Sequence, residues 1–213
     1  LVGRHEDLYR ALEEYEIPYI FIQGIYEQMA DRPHILMDDC QGGYLVTRYL
    51  LDLHHRCIAG IFKADDFQGR ERHKGYVKAL QEAGIPYDPD LVVWFHTEDR
   101  KSKPVLAVEQ MLRRQIPVDA FVCYNDQIAM SVCQELKNLG KRIPEDISVT
   151  GYDNSLYARG DLSLTTIDHP QEKLGEMAAE LLLEKIRHVP ESQSQVERLI
   201  APRLIMRNSC RPR

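Results

Sequence analysis

The chain has 213 residues, enough to bury a hydrophobic core in one large domain or two small ones, so disorder is excluded as its default state. Charged residues make up 28% of it and the formal net charge is -6, with no long basic run, which excludes this segment as a phosphate-gripping nucleic-acid binder on its own. No apolar stretch reaches the roughly 18 residues of a membrane span and no basic-then-apolar export pattern opens the chain; the five cysteines have neither paired spacing nor an even count, so a cytoplasmic protein with buried free thiols and no membrane partner is expected.

In chain order the pattern predicts a helix near Glu6 to Tyr15, a strand over Ile17 to Ile22 and a second over His34 to Met37. A helix near Gly43 to Leu53 leads to a strand over Cys57 to Phe62, then a helix near Arg70 to Ala83 and a strand over Leu91 to Phe95. Helices near Val105 to Arg114 and Gln127 to Leu139 bracket a strand over Ala120 to Tyr124. Strands over Ile147 to Gly151 and Leu164 to Ile167, a helix near Gln171 to Ile186 and a last strand over Arg198 to Met206 complete the alternation. Short β-branched runs separated by amphipathic helices are the pattern of an α/β fold with parallel sheet covered on both faces. Within the helix after Asn125, Ile128, Val132, Leu136 and Leu139 recur at helical spacing and are read as packing. Gly84-Ile85-Pro86 and Gly140 to Pro144 each read as a left-handed glycine stop followed by a proline that forbids continuation. The polar stretch Pro190 to Gln195 reads as a surface loop, and because the chain opens at Leu1 within a helical pattern, further residues are expected before it.

Ligands of open parallel sheets bind outside the carboxyl ends of the strands. Here those ends are polar: Lys63, Asp65, Asp66 and Gln68 follow one strand, Asn125 and Asp126 another, Asp153 a third, Asp168 and His169 a fourth, while Arg70 and Arg72 open a helix beside them. Each residue has a plainer reading. Asn125 and Asp126 suit a helix N-cap, Asp153-Asn154 suits a turn, Arg72 a solvated helix face, Lys63 a surface cation, and His169 before Pro170 the entry to a helix. Convergence favours a site, since caps and turns need not gather carboxylate, amide and guanidinium on one edge. Such a set suits a polyhydroxylated ligand, whose hydroxyls both donate and accept. Arg72 is expected to serve as counter-charge to Asp153. Either Trp94 or Phe95, on alternate faces of its strand, could cover a sugar's apolar face; Phe95 is the candidate, with core packing as the competing reading.

Catalytic readings lack support. The chain has no Gly-x-Ser-x-Gly elbow, no glycine-rich phosphate loop and no His-Glu-x-x-His pair, and the adjacent His54 and His55 would point about 100° apart on a helix. A non-enzymatic domain with no catalytic residue, no metal site and no cofactor is expected.

From about Ile17 onward the chain resembles the effector domain of the lactose and galactose repressor family. The resemblance rests on Asp38 to Leu53 with Gly42-Gly43-Tyr44, His55-Arg56-Cys57-Ile58, Arg72-His73-Lys74-Gly75-Tyr76, Asn125-Asp126-Gln127-Ile128-Ala129, Ile143 to Val149 with Gly151-Tyr152-Asp153-Asn154, and Leu164-Thr165-Thr166-Ile167. Within the family, Gly60 to Gly69, Thr97-Glu98 and Cys123 to Asp126 look most like the arabinose repressors of Gram-positive bacteria. One departure is His54, where the family has a glycine; a non-glycine residue in a left-handed helix cap costs about 1 kcal/mol.

The resemblance implies a periplasmic-binding-protein-like (type I) α/β fold of two parallel-sheet subdomains with a ligand cleft between them. Residues 1–53 and 169–195 would form an N-terminal subdomain incomplete at its start, and residues 54–168 and 196–213 the C-terminal one. It implies ligand contacts at Arg72, Asn125, Asp153, His169, Lys63 and Gln68, with L-arabinose or a similar small sugar as the effector. Operator DNA would be bound through an N-terminal domain absent from this chain, resembling a winged helix, and the protein would act as a homodimer. An exported sugar-binding protein of a transport system is the alternative, opposed by the unpaired cysteines and the regulator-like tail Pro202 to Ser209.

Overall fold

The β-branched runs of the sequence become short strands, and the amphipathic stretches between them become helices. The computed structural model describes residues 6–25, 27–160, 162–187 and 197–213. Two compact units result, one gathering the described residues up to Asp38 with those from Pro170 to Ala201, the other Asp39–His169 with Pro202–Arg213.

The first unit carries helix α1 (Glu6–Glu14), strands β1 (Phe21–Ile22) and β2 (His34–Met37), helix α6 (Gln171–Ile186) and strand β8 (Glu197–Ile200). Its sheet runs β1-β2-β8 and is parallel throughout. Strand β1 is shorter than the predicted Ile17 to Ile22, since Pro18 has no N–H to give to a ladder and pairing begins only at Phe21 opposite His34. The predicted loop Pro190 to Gln195, and the predicted subdomain boundary there, lie outside the described residues.

The second unit contains α2 (Asp39–Asp52), β3 (Ile58–Lys63), α3 (Phe67–Glu82), β4 (Val92–Phe95), α4 (Lys103–Arg113), β5 (Ala120–Cys123), α5 (Asp126–Asn138), β6 (Ser148–Thr150), β7 (Thr166–Asp168) and β9 (Arg203–Ile205). Strands β4-β3-β5-β6 form a parallel sheet, whereas β7 pairs with β9 antiparallel. The predicted single strand Arg198 to Met206 is therefore two strands in two units. The division falls at Ala201-Pro202, where proline interrupts any continuous ladder. Helix stops fall as predicted, with Gly84 at φ 71° and Gly140 at φ 73°, and His54 takes the left-handed position at φ 69° despite its side chain.

The core of this unit sits between the sheet and α4 and α5, where Ile61, Val108, Phe121, Val132, Leu136 and Val149 are almost fully buried. Of the predicted helical stripe, Ile128, Val132 and Leu136 face this core, while Leu139 caps the helix and is 38% exposed. Burial pushes the thiols of Cys133 and Cys210 up to about 12 and about 11, so neither is a reactive thiolate at neutral pH.

Helix α2, which the sequence placed in the first subdomain, belongs to the second unit and packs along α3. The helices approach this closely because glycines stand at the crossing. A Cβ on Gly43 would be driven into the backbone of Arg72, and one on Gly75 into the Cys40 carbonyl. Gly75→Ala should therefore destabilise the chain by about 1 to 3 kcal/mol through overpacking against backbone that has no side-chain slack. Urea unfolding measures this, and an unchanged midpoint would show that the helices tolerate separation.

At the amino end of the sheet, Asp119 accepts from Arg56 N at 2.9 Å and Cys57 N at 3.3 Å, with its other oxygen 3.3 Å from His55 Nδ1. Burial works against the Asp119 charge, but the His55 ring and the two N–H groups outweigh it, leaving its pKa below the ordinary aspartate value. A carboxyl depressed on folding stabilises the native state above the unfolded value of about 3.9, and that contribution is lost as pH falls below it. Asp119→Asn should lower stability at pH 7 and flatten the acid limb of the unfolding profile. An acid limb identical to wild type would show that Asp119 does not contribute to the linkage.

Candidate functional site

Strand β3 ends at Lys63, and the chain turns through Asp65 and Asp66 into α3. Asp66 caps that helix, its Oδ1 accepting from Gly69 N at 2.7 Å. Its Oδ2 accepts from the Tyr124 hydroxyl at 2.6 Å and lies 3.1 Å from Lys63 Nζ. Asp65 reaches across to the end of β4, accepting from Thr97 N at 3.1 Å and Thr97 Oγ1 at 2.7 Å. Burial opposes its charge, yet the Thr97 donors and Lys63 hold the Asp65 carboxyl below its usual range. The ends of β3, β4 and β5 are thus tied to one another. A cavity of about 290 Å³ opens there, lined in part by Lys63, Phe95, Thr97, Arg100, Tyr124 and Asn125.

Arg72, on the second turn of α3, is only 7% exposed. Its Nε donates to Asp39 Oδ1 at 2.8 Å and its Nη1 to the Tyr124 carbonyl at 2.6 Å. The guanidinium lies 3.5 Å from the centre of the Tyr152 ring and 4.8 Å from that of Tyr124, a geometry in which aromatic faces stabilise a cation. Burial favours proton loss from Arg72, but Asp39 above all opposes it, and the pKa is raised, leaving a fixed cation. For Asp39 burial raises the pKa above the ordinary aspartate value, and Arg72 pulls it back only in part. The Tyr152 hydroxyl is buried in the same cluster, where burial above all raises its pKa and the neighbouring Asp39 adds to the rise against the pull of Arg72.

The remaining end of the guanidinium points at Asp153, with Nη2 3.7 Å from Oδ1. Asp153 follows β6 and keeps 31% of its side chain exposed, whereas Asp39 keeps 3%. Its backbone has φ 99° and that of Asn154 φ 48°, two successive left-handed residues without a glycine. Asp126, one residue after the cap of α5, is a tie instead: 1% exposed, it accepts from Ser155 N at 2.7 Å, Ser155 Oγ at 2.9 Å and Thr166 Oγ1 at 2.7 Å.

Of the seven residues singled out from the sequence, Arg72 and Asp153 come together but do not line that cavity, whereas Lys63, Phe95 and Asn125 share its wall. Gln68, in the first turn of α3, and His169, just after β7, are both half-buried at strand or helix ends and do not line that cavity. Several plainer readings also hold. Asn125 Oδ1 caps α5 by accepting from Ile128 N at 3.0 Å, and Lys63 is ion-paired within its own loop. Phe95 is a core residue, 1% exposed and edge-on to Tyr124, so it offers cavity wall and no open stacking face. Trp94 faces the other side of the sheet, against His73 and Phe62. Arg72 meets Asp153 as expected, at 3.7 Å, but a nearer counter-charge, Asp39 at 2.8 Å, also holds it. Asp39 carries the same strand-end signal as the other site residues, because β2 hands the chain to α2 through Asp38 and Asp39.

Residues 47–210 of the chain match the periplasmic binding protein-like domain. The chain belongs to that family. Two relatives named arabinose metabolism transcriptional repressor, from Halalkalibacterium halodurans and Geobacillus stearothermophilus, are each 37% identical over 94% of this chain. The PurR repressor of Photorhabdus laumondii is 35% identical over 96%. The chain spans 55% and 56% of the two arabinose repressors and 60% of PurR. Among solved structures, the regulator CelR in complex with cellobiose superposes with a TM-score of 0.84 at 31% identity, over 97% of this chain and 63% of that one. A LacI-family regulator from Enterococcus faecium with bound ribose superposes with a TM-score of 0.82 at 29% identity, over 96% of this chain and 75% of that one. The domain is thus of the effector-binding type found in lactose- and galactose-repressor-like regulators.

Breaking a buried ion pair leaves an uncompensated charge, whereas replacing both partners by apolar groups of like volume is often tolerated. Asp39→Ala should therefore cost about 3 to 5 kcal/mol of unfolding free energy, while the double change Asp39→Leu with Arg72→Met should cost clearly less. Chemical denaturation of both variants decides this. A double variant as unstable as the single one would mean the pair itself stabilises the fold.

Proposed function

We propose that this domain binds L-arabinose as the effector of a bacterial transcriptional repressor, and that sugar binding relieves binding to operator DNA. The observation that carries the reading is the juxtaposition of a prepaid arginine with a solvent-reaching carboxylate: Arg72 held by Asp39, its free Nη2 end toward Asp153, with the Asn125 amide at the next strand end. Hydroxyls that both donate and accept fit such a rim. The two arabinose metabolism repressors support the choice of sugar, and sugar-bound regulators of the same fold support the chemistry. DNA contact falls to a separate N-terminal domain, because a chain of net charge -6 without a basic stripe offers little counterion release. On this reading the acting form is a homodimer.

Arg72→Ala is a blunt probe of binding, since it also strands Asp39. Asp153→Asn keeps the shape while replacing an acceptor oxygen by a donor amide, and should weaken L-arabinose by about tenfold in calorimetry, in line with the loss of one charged hydrogen bond. Unaltered affinity would make Asp153 a turn residue only. Linkage adds a stricter expectation for the intact repressor: the factor by which sugar weakens operator binding equals the factor by which operator weakens sugar binding. Titrating each ligand in the presence and absence of the other gives two values of one coupling, and sugar binding indifferent to DNA would overturn the repressor reading.

A further inference from the structure

Asp153 and Asn154 adopt consecutive left-handed conformations, at φ 99° and φ 48°, with no glycine to make them cheap. Such geometry persists only where the surroundings over-determine it. The backbone does part of this: Asp153 N donates to Ile167 O at 2.9 Å and Asn154 N to Thr166 Oγ1 at 3.3 Å. The rest comes from the chain's C-terminal segment. Arg207 Nη2 donates to Asn154 Oδ1 at 2.6 Å while Nη1 donates to the Leu164 carbonyl at 2.8 Å, and its backbone N–H donates to Thr165 Oγ1 at 3.0 Å. The other end of the same amide, Asn154 Nδ2, donates to Asp168 Oδ1 at 2.8 Å, and Asp168 Oδ2 accepts from Arg203 Nη2 at 2.8 Å. Asn154 is thereby held at both ends of its amide, by two arginines of one strand and its extension, one directly and one through a carboxylate.

We propose that Arg207 is a positioning residue for the effector site: through Asn154 it holds Asp153 in the left-handed conformation that turns the Asp153 carboxylate toward Arg72. The inference rests on the reading that Asp153 and Arg72 meet the sugar, and it assigns to the C-terminal segment a part in ligand affinity through the bond from Arg207 to Asn154. Arg203 is the weaker member, largely exposed, and acts at one remove through Asp168. A methionine at 207 keeps apolar bulk and removes both side-chain donors; a glycine at 154 keeps the left-handed backbone accessible and removes only the amide.

The test is a double-mutant cycle on L-arabinose affinity with Arg207→Met, Asp153→Asn and both together, paired with amide hydrogen exchange on the sugar-free chain. Arg207→Met should weaken L-arabinose by about tenfold alone and by less than about twofold in the Asp153→Asn background, since a residue acting through Asp153 has nothing left to position. In exchange, the amides of Asp153 and Asn154 should lose protection while that of Val149, bonded to Ser209 O, keeps it. Asn154→Gly should reproduce both effects. Equal losses in the two backgrounds, or protection lost throughout the unit, would overturn the proposal in favour of a general stabilising role for Arg207. If wild-type chain bound neither L-arabinose nor another pentose, the sugar reading would fall, and unchanged exchange at Asp153 in Arg207→Met would separately refute the positioning.

Discussion

A guanidinium cannot be taken out of water without replacing what water gave it, and Arg72 shows how this chain does so. Its donors meet the Asp39 carboxylate and the Tyr124 carbonyl, and its faces meet the rings of Tyr152 and Tyr124. Taking both charges into the interior costs several kcal/mol per ion, so this pair is not an economical source of stability. What it does provide is placement. Asp39 opens α2 and Arg72 lies within α3, so the pair brings their side chains together at the crossing that Gly43 and Gly75 make close. Tyr124 stands at the end of β5 and Tyr152 after β6, so the same cation registers those strand ends against the helices. The cluster and the close helix packing therefore depend on each other, and loss of either would loosen the rim.

Much of the architecture was legible in the sequence because it depends on local chemistry. Strands β2 and β5 and helix α6 lie where periodicity put them, and Gly84 and Gly140 stop their helices as left-handed glycines. What could not be read was decided at long range. The single C-terminal strand divides because its two halves find partners in different sheets, β8 beside β2 and β9 against β7. Likewise α2 joins the second unit through contact with a helix that begins fifteen residues after it ends.

The candidate site shows the same division. Arg72 and Asp153 were singled out by strand-end position and meet as expected, yet their distance and the intervening claim of Asp39 on the guanidinium are tertiary facts. Asp39 itself was open to the strand-end argument that found the others. Asn125 illustrates why singling out a residue leaves its role undecided: its Oδ1 accepts from Ile128 N as a cap, which leaves its amide donors and a second lone pair for other partners. Capping and recognition are compatible in one side chain because an amide carries separate donor and acceptor ends.

The arrangement also bears on how a small neutral ligand obtains useful affinity. Ordering a long arginine side chain at binding costs about 0.5 to 1.5 kcal/mol, and ordering a loop costs more. Here Arg72 is already immobile by virtue of Asp39 and Tyr124, and the Asp153-Asn154 turn is held by bonds to Ile167, Thr166, Asp168 and Arg207. Those costs are met on folding, so on the proposed reading contacts to hydroxyl groups would translate more fully into affinity. Folding energy spent on the left-handed turn at Asp153-Asn154 and on the buried charge of Arg72 is unavailable for stability. An effector read by a pre-ordered rim shifts the protein between states only to the extent that those states hold the rim differently. On the proposed reading, the turn at Asp153 is where such a difference would register, because its geometry depends on hydrogen bonds from β7 and from the C-terminal segment together.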